Sequence, residues 1–308
     1  VINLSMTWKV PVNTEIKGQN YAKIYNSREF GVWDFTGNCI EFKFYHTSSA
    51  SGKIDVTGSN VIKNAEWVTD ISNNYVLLRL NFNSNGVYYG YSISYNSDGS
   101  LKISIKNKPA SELAGYTIML DAGHGGNDSG AVCSSTSPSN MKYEKQINLA
   151  IAKKIQQRLL LNGAIVLMSR DDDSNPLLDS RRNSVYSNRP DLFLSIHCDS
   201  VVSSTSIGTT AYYYYAQSFP LADAIHKQLV TCYKEDIYAG DSNLINKVDR
   251  HSVFFPFKVT RVETCPSVLL EYGFVSNLNE CVQLQKDVNQ DKLATATVQG
   301  IIDYINLN

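Results

Sequence analysis

The hydrophobic pattern of this chain changes near residue 110, and this change constrains the fold more than any other feature. Before that point, short runs rich in Val, Ile, Tyr, Phe and Trp alternate with Ser, Asn and Gly. Such runs occupy residues 40–45, 75–82 and 101–105, with turn sequences at residues 84–86 and 96–100. Period-two alternation with frequent turns is typical of antiparallel strands. We therefore predict a separate N-terminal all-β, sandwich-like domain over residues 1–110.

After residue 110, short apolar strands alternate with amphipathic helices. Residues 108–111 contain Pro109, which cannot continue a central strand, and are predicted to form the linker. Strands are predicted at residues 116–120, 164–168, 191–196, 209–215 and 267–270, and helices at 143–161, 177–187, 219–233 and 290–305. The first helix carries apolar residues at fourfold spacing on one face, namely Ile147, Ile151, Ile155 and Leu159. This alternation predicts an α/β domain over residues 114–308, with a mostly parallel twisted sheet flanked by helices.

Composition argues against two classes of partner. The 308 residues include 28 basic and 29 acidic side chains, for a net charge of −1, so we expect no nucleic-acid partner. No window approaches the roughly 20 apolar residues of a membrane span, so none is expected. Residues 1–4 lack the basic and apolar stretches of a signal peptide, and none is expected in this sequence. Because the chain starts with Val, that absence leaves the compartment open.

Six cysteines are spread along the chain, at positions 39, 133, 198, 232, 265 and 281. None forms a CxxC pair, which argues against a cysteine-rich zinc site. Six cysteines are also too few for a disulfide scaffold in a chain of this length. We expect free, partly buried thiols, and pairing cannot be read from the spacing.

Polar side chains follow three of the predicted strands. His124 lies in the segment 121–126 after the first strand, His197 ends the strand at residues 191–196, and Glu271 ends the strand at 267–270. Glu144 opens the first long helix and should lie at the same edge. In open α/β sheets, ligands bind beyond the carboxyl ends of the strands. We therefore expect these four side chains to meet.

Two imidazoles and a carboxylate match a catalytic zinc site, which uses three protein ligands and keeps a fourth position for water. Glu271 could then accept the proton of the water and pass it to a leaving amine. Each residue also has a structural alternative. Glu144 could complement the helix dipole, His197 could be a core histidine, and Glu271 could form a buried ion pair with Arg261.

At these residues the chain resembles the zinc-dependent N-acetylmuramoyl-L-alanine amidases of the type 3 group. The resemblance covers residues 116–305. It is carried by residues 118–126, Glu144 at a helix start, residues 169–172, Arg181, residues 191–197 and residues 269–277. Order and spacing agree across the whole domain.

The resemblance implies a fold, a reaction and a set of site residues. Members hydrolyse the amide between the lactyl group of N-acetylmuramic acid and the L-alanine of the stem peptide in peptidoglycan. It implies one Zn²⁺ per chain, held by His124, Glu144 and His197, with Glu271 as the catalytic carboxylate. Ala122, Ser129 and the pair Cys198-Asp199 depart from common family residues and put fine substrate preference in doubt. Some relatives carry a helical insertion between the glutamate and second histidine ligands, and none is expected here.

Four further residues match recurring family positions or lie beside the site. Arg181, Arg261 and Asn277 are candidates for substrate positioning, with structural ion pairs as the alternative. Asp121 is a candidate for orienting a histidine ligand, with a turn cap as the alternative. His46, His226 and His251 are given no role, and His226 is expected to be solvated on an amphipathic helix.

The N-terminal domain resembles, by position and strand content, the β-sandwich modules that precede such amidases and target them to the envelope. A cell-wall-binding role, a spacer and a surface for a cell-envelope partner are the alternatives. The expected location is extracytoplasmic, secreted or cell-wall associated. Two other functions remain open for the chain: a non-catalytic peptidoglycan-binding protein of the same fold, and a zinc hydrolase of another amide.

Overall fold

The computed structural model describes residues 1–7, 9–17, 20–24, 30–34, 38–84, 88–107, 112–133 and 143–307. The chain divides into two compact units, Val1–Lys108 and Pro109–Asn308. The predicted linker at residues 108–111 lies outside the described residues, as do Asn85 and Gly86 of the first predicted turn. In the described part of the chain, no helix is long and apolar enough to cross a membrane.

The first unit is built from antiparallel strands. They are β1 (Ile2–Leu4), β2 (Val12–Lys17), β3 (Asn20–Ile24), β4 (Phe30–Asp34), β5 (Cys39–Tyr45), β6 (Ile62–Asp70), β7 (Tyr75–Phe82), β8 (Tyr91–Tyr95) and β9 (Leu101–Ile105). The main sheet has the order β2-β5-β7-β6, a second sheet has the order β1-β9-β8, and β3 pairs with β4. The all-β prediction for this region is confirmed.

Alternating burial explains how the two larger sheets of this unit pack. Phe42 on β5 and Val76, Leu78 and Leu80 on β7 are all fully buried. The ring of Phe42 meets that of Tyr91 on β8 edge to face, with centroids 5.8 Å apart. The sheets therefore bury facing apolar sides, as period-two patterning requires.

The second unit holds one six-stranded sheet with helices. Its elements are β10 (Thr117–Ala122), α1 (Glu144–Leu161), β11 (Ile165–Met168), α2 (Leu178–Asn188), β12 (Leu192–Asp199), β13 (Thr209–Tyr213), α3 (Phe219–Cys232), α4 (Ser242–Ile245), β14 (Asp249–Phe254), β15 (Ser267–Phe274), α5 (Leu278–Gln285) and α6 (Asp287–Asn306). The strand order is β11-β10-β12-β15-β13-β14. Every neighbouring pair is parallel except β13 and β15. The prediction of a mostly parallel sheet flanked by helices is confirmed.

Helices cover both faces of this sheet. Helices α1 and α3 pack against α6, and the four apolar residues predicted on α1 are fully buried. On α2, Val185 joins a core cluster with Met119 of β10 and Phe193 of β12. Because side chains alternate along a strand, Met119 and Phe193 point away from the face that α1 covers. Burial on both faces explains why these strands are apolar throughout.

Several element boundaries differ from the sequence prediction. Strand β12 continues to Asp199 and β15 continues to Phe274, so His197 and Glu271 lie within strands and not just after them. Strand β14 and helix α5 were not predicted. Strand β14 begins with the polar run Asp249, Arg250 and His251, which lacks the apolar pattern used to predict strands, and it lies at the edge of the sheet.

The expectation that all the cysteines are free was wrong for two of them. Cys133, before α1, forms a disulfide with Cys281 in α5, with Cα atoms 6.2 Å apart. The two residues are separated by 148 positions, and only the fold brings them within bonding distance. Cys39, Cys198, Cys232 and Cys265 are buried thiols outside this disulfide.

Candidate metal centre

Three side chains from different elements converge at one edge of the sheet. His124 lies in the loop after β10, Glu144 is the first residue of α1, and His197 lies on β12. One potential ligand atom from each residue lies within 4.8 Å of the other two. His124 adopts the left-handed conformation with φ of 61°, which turns the loop sharply after the strand. The structure thus brings together the three predicted metal ligands.

The Glu144 carboxylate lies between the two imidazoles. Its Oε2 is 3.1 Å from His124 Nε2, and its Oε1 is 3.1 Å from His197 Nδ1. The two rings are 4.9 Å apart and nearly perpendicular, at 78°. Ligand atoms about 2.0–2.2 Å from a tetrahedral zinc ion would be roughly 3.3 Å from each other, close to the two contacts that Glu144 makes through its two oxygens. One atom from each of the three residues lies within 4.8 Å of the others, and the two-nitrogen, one-oxygen donor set suits zinc.

Further groups hold the three side chains in place. Asp128 Oδ2 lies 2.9 Å from His124 Nδ1, on the side of the ring away from Glu144. Glu144 Oε1 accepts hydrogen bonds from the Asn148 amide and the Cys198 N–H, and Oε2 accepts one from the Ala131 N–H. A carboxylate behind a histidine ligand fixes its tautomer and orientation. Neither Asp128 nor Asn148 was singled out from the sequence.

The charges at this site favour a cation. Burial raises the pKa of Glu144, but hydrogen bonds and charge interactions with His124 and His197 outweigh it and hold the pKa well below its usual range. Burial also opposes protonation of His124, yet its bonds to Glu144 and Asp128 raise its pKa overall. The carboxylate is therefore ionised, and positive charge between it and the imidazoles is stabilised.

Glu271 lies beside this cluster, directly across the β12–β15 pair from His197. Its side chain is half-buried, and its Oε2 is shielded from solvent without a hydrogen-bond partner. Burial raises the pKa of Glu271 well above its usual range, and repulsion from Asp199 and Glu144 adds to the rise. The alternative of a buried ion pair with Arg261 is wrong, because Arg261 is exposed and no such pair occurs among the described residues.

All four residues line a single cleft of about 490 Å³. Carboxylates outnumber the lysine and arginine side chains that line the cleft, and Leu177, Leu178 and Phe257 add an apolar part to its wall. Lys258 adds a cation at the rim, where it pairs with Asp179 at 2.7 Å. A cleft of this size, with a few converging polar groups, suits a ligand of small-molecule dimensions.

Comparison with known proteins identifies the family. The N-acetylmuramoyl-L-alanine amidase family model matches residues 118–303. The chain belongs to this family. It is 33% identical over 209 residues to the N-acetylmuramoyl-L-alanine amidase LytC of Bacillus subtilis (strain 168), an alignment that covers 67% of this chain but 38% of LytC.

Two other relatives extend the comparison. The uncharacterized protein YqiI of Bacillus subtilis (strain 168) is 37% identical over 199 residues, covering 63% of this chain and 87% of YqiI. The catalytic domain of CwlV, an N-acetylmuramoyl-L-alanine amidase from Bacillus (Paenibacillus) polymyxa var. colistinus, is similar in structure. It has a TM-score of 0.54 and 32% identity, covering 63% of this chain and 99% of that domain. The match in both cases is confined to about two thirds of the chain.

Within this amidase fold, Asp121 and Arg181 form a buried pair beneath the loop at residues 123–126, which carries His124 and which we call the metal loop. Arg181 Nη1 donates to Asp121 Oδ1 at 2.6 Å, and the same guanidinium donates to the backbone carbonyls of Ala122 and His124. Asp121 also accepts from the hydroxyl of Ser195 and contacts no histidine among the described residues. That Asp121 orients a histidine ligand stays a prediction, and its contacts favour an indirect effect. The pair holds the backbone that presents His124.

Substrate positioning by Arg181, Arg261 and Asn277 stays a prediction, and the geometry favours the structural alternative. Arg181 is 3% exposed, and its donors are occupied by the protein itself. Asn277 accepts a hydrogen bond from the Glu280 N–H as the N-cap of α5. Neither Asn277 nor the exposed Arg261 lines the cleft.

The expectation that His226 is solvated was wrong. Its side chain is buried, and Nε2 lies 2.8 Å from Asp249 Oδ1 on β14. Since β14 was not predicted, the sequence offered nothing to cover this face of α3. His46 and His251 are exposed, and neither lines the cleft.

Arg170 is a further buried residue whose role was missed. It donates to the carbonyls of Ala122, Gly123 and Lys145 and so joins the metal loop to α1. The contacts of Arg170 could not be predicted from sequence, because its partners are backbone carbonyls, which every residue type has.

The contact of Asn148 with Glu144 could have been predicted from sequence, since Asn148 lies four residues after Glu144 on the same helix face.

Proposed function

We propose that the second unit is a zinc-dependent N-acetylmuramoyl-L-alanine amidase that cleaves the amide between N-acetylmuramic acid and the L-alanine of the stem peptide. One observation carries the proposal. His124, Glu144 and His197 form a three-ligand cluster beside Glu271, whose desolvated Oε2 faces no protein partner. This arrangement occurs in a chain of the amidase family, for which peptidoglycan is the fitting substrate.

A zinc ion held by His124, Glu144 and His197 would polarise the scissile carbonyl and lower the pKa of water at the site. The protein supplies the proton transfers. Glu271 Oε2 accepts the proton of the attacking water and then donates it to the departing alanine nitrogen. Its raised pKa suits both roles, because a carboxylate with a higher proton affinity is a stronger base and its acid form survives nearer neutral pH.

The other residues keep this geometry fixed. Asp128 holds the ring of His124, while Arg181 and Arg170 bond the backbone carbonyls around it. The apolar wall of the cleft, including Leu177 and Phe257, excludes water from one side of a bound substrate. Preorganised polar groups of this kind need little rearrangement during the reaction.

Turnover on purified peptidoglycan tests the proposal. We expect new N-terminal alanine together with free lactyl groups, and loss of both products after treatment with a chelator. Cleavage between two amino acids would instead indicate a zinc hydrolase of another amide.

The Glu271→Gln variant separates an enzyme from a binding protein of the same fold. We expect the variant to keep its zinc, because Glu271 is not a proposed ligand, and to lose hydrolysis by about 10²-fold or more. Zinc content and turnover are measured on the same sample. A variant with near-parental turnover would remove Glu271 from the mechanism.

We propose a cell-wall-binding role for the N-terminal unit, assigned to residues 1–110, and a catalytic role for the domain at residues 114–308. The unit contains a cleft of about 580 Å³ in which the half-buried ring of Trp67 is accompanied by the hydroxyls of Ser48 and Ser49. Aromatic faces flanked by hydrogen-bonding groups suit amphipathic ligands such as glycans. Peptidoglycan lies outside the cytoplasm, so we place the site of action there, secreted or attached to the wall.

Cosedimentation with insoluble peptidoglycan tests the role of this unit. We expect the Trp67→Ala chain to sediment less than the parent while hydrolysing short soluble muramyl peptides normally. Equal sedimentation of the two folded chains would favour a spacer or a surface for an envelope partner.

A further inference from the structure

Residues 128–133, which we call the wall segment, form one side of the proposed metal site. A Cβ atom added to Gly130 would lie 2.5 Å from Glu144 Oε2 and 2.7 Å from Cδ2 of His124. The Ala131 N–H donates to Glu144 Oε2 at 2.9 Å, and the Ala131 carbonyl accepts the Glu144 N–H at 2.9 Å. The position of the wall segment therefore decides where the Glu144 carboxylate and the His124 ring can lie.

The wall segment buries little apolar surface of its own. Val132 is 58% exposed, and Ala131 is half-buried. Its other backbone bonds among the described residues return to the metal loop or to the start of α1. They join Asp128 to Gly125, Ser129 to Lys145 and Val132 to Tyr143. Segments with few buried apolar contacts open at low free-energy cost. These backbone bonds connect the wall segment to the site that it borders and to no other part of the fold.

The disulfide provides a connection to a different part of the fold. Cys133 ends the wall segment, and Cys281 lies fully buried in α5. Helix α5 is itself fixed, because the Glu280 carboxylate accepts the backbone N–H groups of Gly208 and Phe274. These contacts involve none of the proposed metal ligands. The disulfide thus joins the wall segment to an anchor that does not depend on the metal.

We propose that the Cys133–Cys281 disulfide positions the metal site by tying the wall segment to α5. Without the disulfide the fold persists, but the hydrogen bond from the Ala131 N–H to Glu144 breaks more often. The three ligands then spend less time in the arrangement that binds a metal. The effect on metal affinity rests on the proposed zinc function. The effect on the wall segment does not, since it concerns the metal-free protein.

Two measurements on the full chain test this role. In the double variant Cys133→Ser/Cys281→Ser, we expect zinc affinity, measured by competition with a chromogenic chelator, to fall about tenfold or more, as for the loss of groups that orient ligands. In the metal-free protein, we expect hydrogen exchange of the Ala131 amide to accelerate by a similar factor. The double variant Cys133→Ala/Cys281→Ala repeats both measurements without new hydroxyls.

Matched controls separate positioning from general stability. The variant Cys232→Ala/Cys265→Ala also removes two buried thiols, and Ile301→Val weakens the core in α6; both should keep the parental zinc affinity and Ala131 exchange. Parental values in the disulfide variants would overturn the proposal. A parent that binds no zinc would refute the zinc function alone, and Ala131 exchange would still decide the disulfide's role.

If neither disulfide variant folds, reduction of the folded parent provides the test. A water-soluble phosphine opens the disulfide to two thiols, and the phosphine takes an oxygen atom from water to become the phosphine oxide. We expect zinc to pass to a chromogenic chelator of matched affinity as the new thiols of Cys133 and Cys281 form. An unchanged division of zinc between protein and chelator after both thiols have formed would overturn the proposal.

Discussion

Gly123 offers a direct way to disturb one proposed metal ligand without touching its chemistry. The residue follows β10, and His197 packs edge-on against it. A Cβ atom at Gly123 would overlap Cε1 and Nε2 of His197 and would lie 2.6 Å from its Nδ1. Gly123 does not have a positive φ, so Ala can adopt its backbone conformation. The obstacle to Ala at this position is therefore the overlap of its Cβ atom with His197.

The size of the effect follows from these contacts. Nonbonded carbon atoms are comfortable at about 3.5–4.0 Å, so the ring of His197 would have to move by roughly 1 Å. Metal sites tolerate deviations of only about 0.2 Å in ligand distance. We therefore expect Gly123→Ala to lower zinc affinity by at least about 10²-fold, beyond the usual loss for a group that merely orients a ligand.

Zinc titration of the metal-free protein measures this change, with thermal unfolding as the check on folding. Gly126→Ala is the matched control in the same loop. Its φ of 53° is left-handed and costs Ala about 1–2 kcal/mol, but its Cβ would approach Asn175 and no proposed ligand. If Gly123→Ala bound zinc as tightly as Gly126→Ala, the geometry argued for His197 would be refuted.

Two further predictions concern stability. Arg181→Met should lower the free energy of unfolding in urea by about 3–5 kcal/mol, because Asp121 would keep a buried charge without its partner; a loss below about 1 kcal/mol would contradict the structural role. Burial raises the pKa of Glu280 to about 8 from an unfolded value of 4.5, so its contribution to stability is complete below about pH 4.5 and is lost as the pH rises through 8. Between those two pKa values the free energy of unfolding of the parent should fall by up to about 5 kcal/mol relative to that of Glu280→Gln. If the urea midpoints of the two chains changed equally with pH, this titration would be excluded.

Regular features of the second unit could be predicted because they are local. Fourfold spacing of apolar residues placed the buried face of α1, and the alternation of strands and helices gave a mostly parallel sheet. Parallel strands end at a common edge, so polar residues near the ends of β10, β12 and β15 were expected to meet. The structure brings His124, His197 and Glu271 together at that edge.

Features that depend on one distant partner could not be predicted. The Cys133–Cys281 bond, the Asp121–Arg181 pair and the contact of His226 with Asp249 each join residues from separate elements. Periodicity identifies which face of an element is buried but does not identify what covers it. This is why His226 was expected to be solvated when the unrecognised β14 in fact covers it.

The central claim is that His124, Glu144 and His197 share one zinc ion. X-ray absorption at the zinc edge, combined with metal analysis of the purified chain, tests it most directly. We predict one zinc per chain, with nitrogen and oxygen neighbours at about 2.0–2.2 Å, no sulfur neighbour, and loss of the metal in His124→Ala. Absence of zinc from the active chain, a sulfur neighbour at about 2.3 Å, or full zinc retention in His124→Ala would contradict the account.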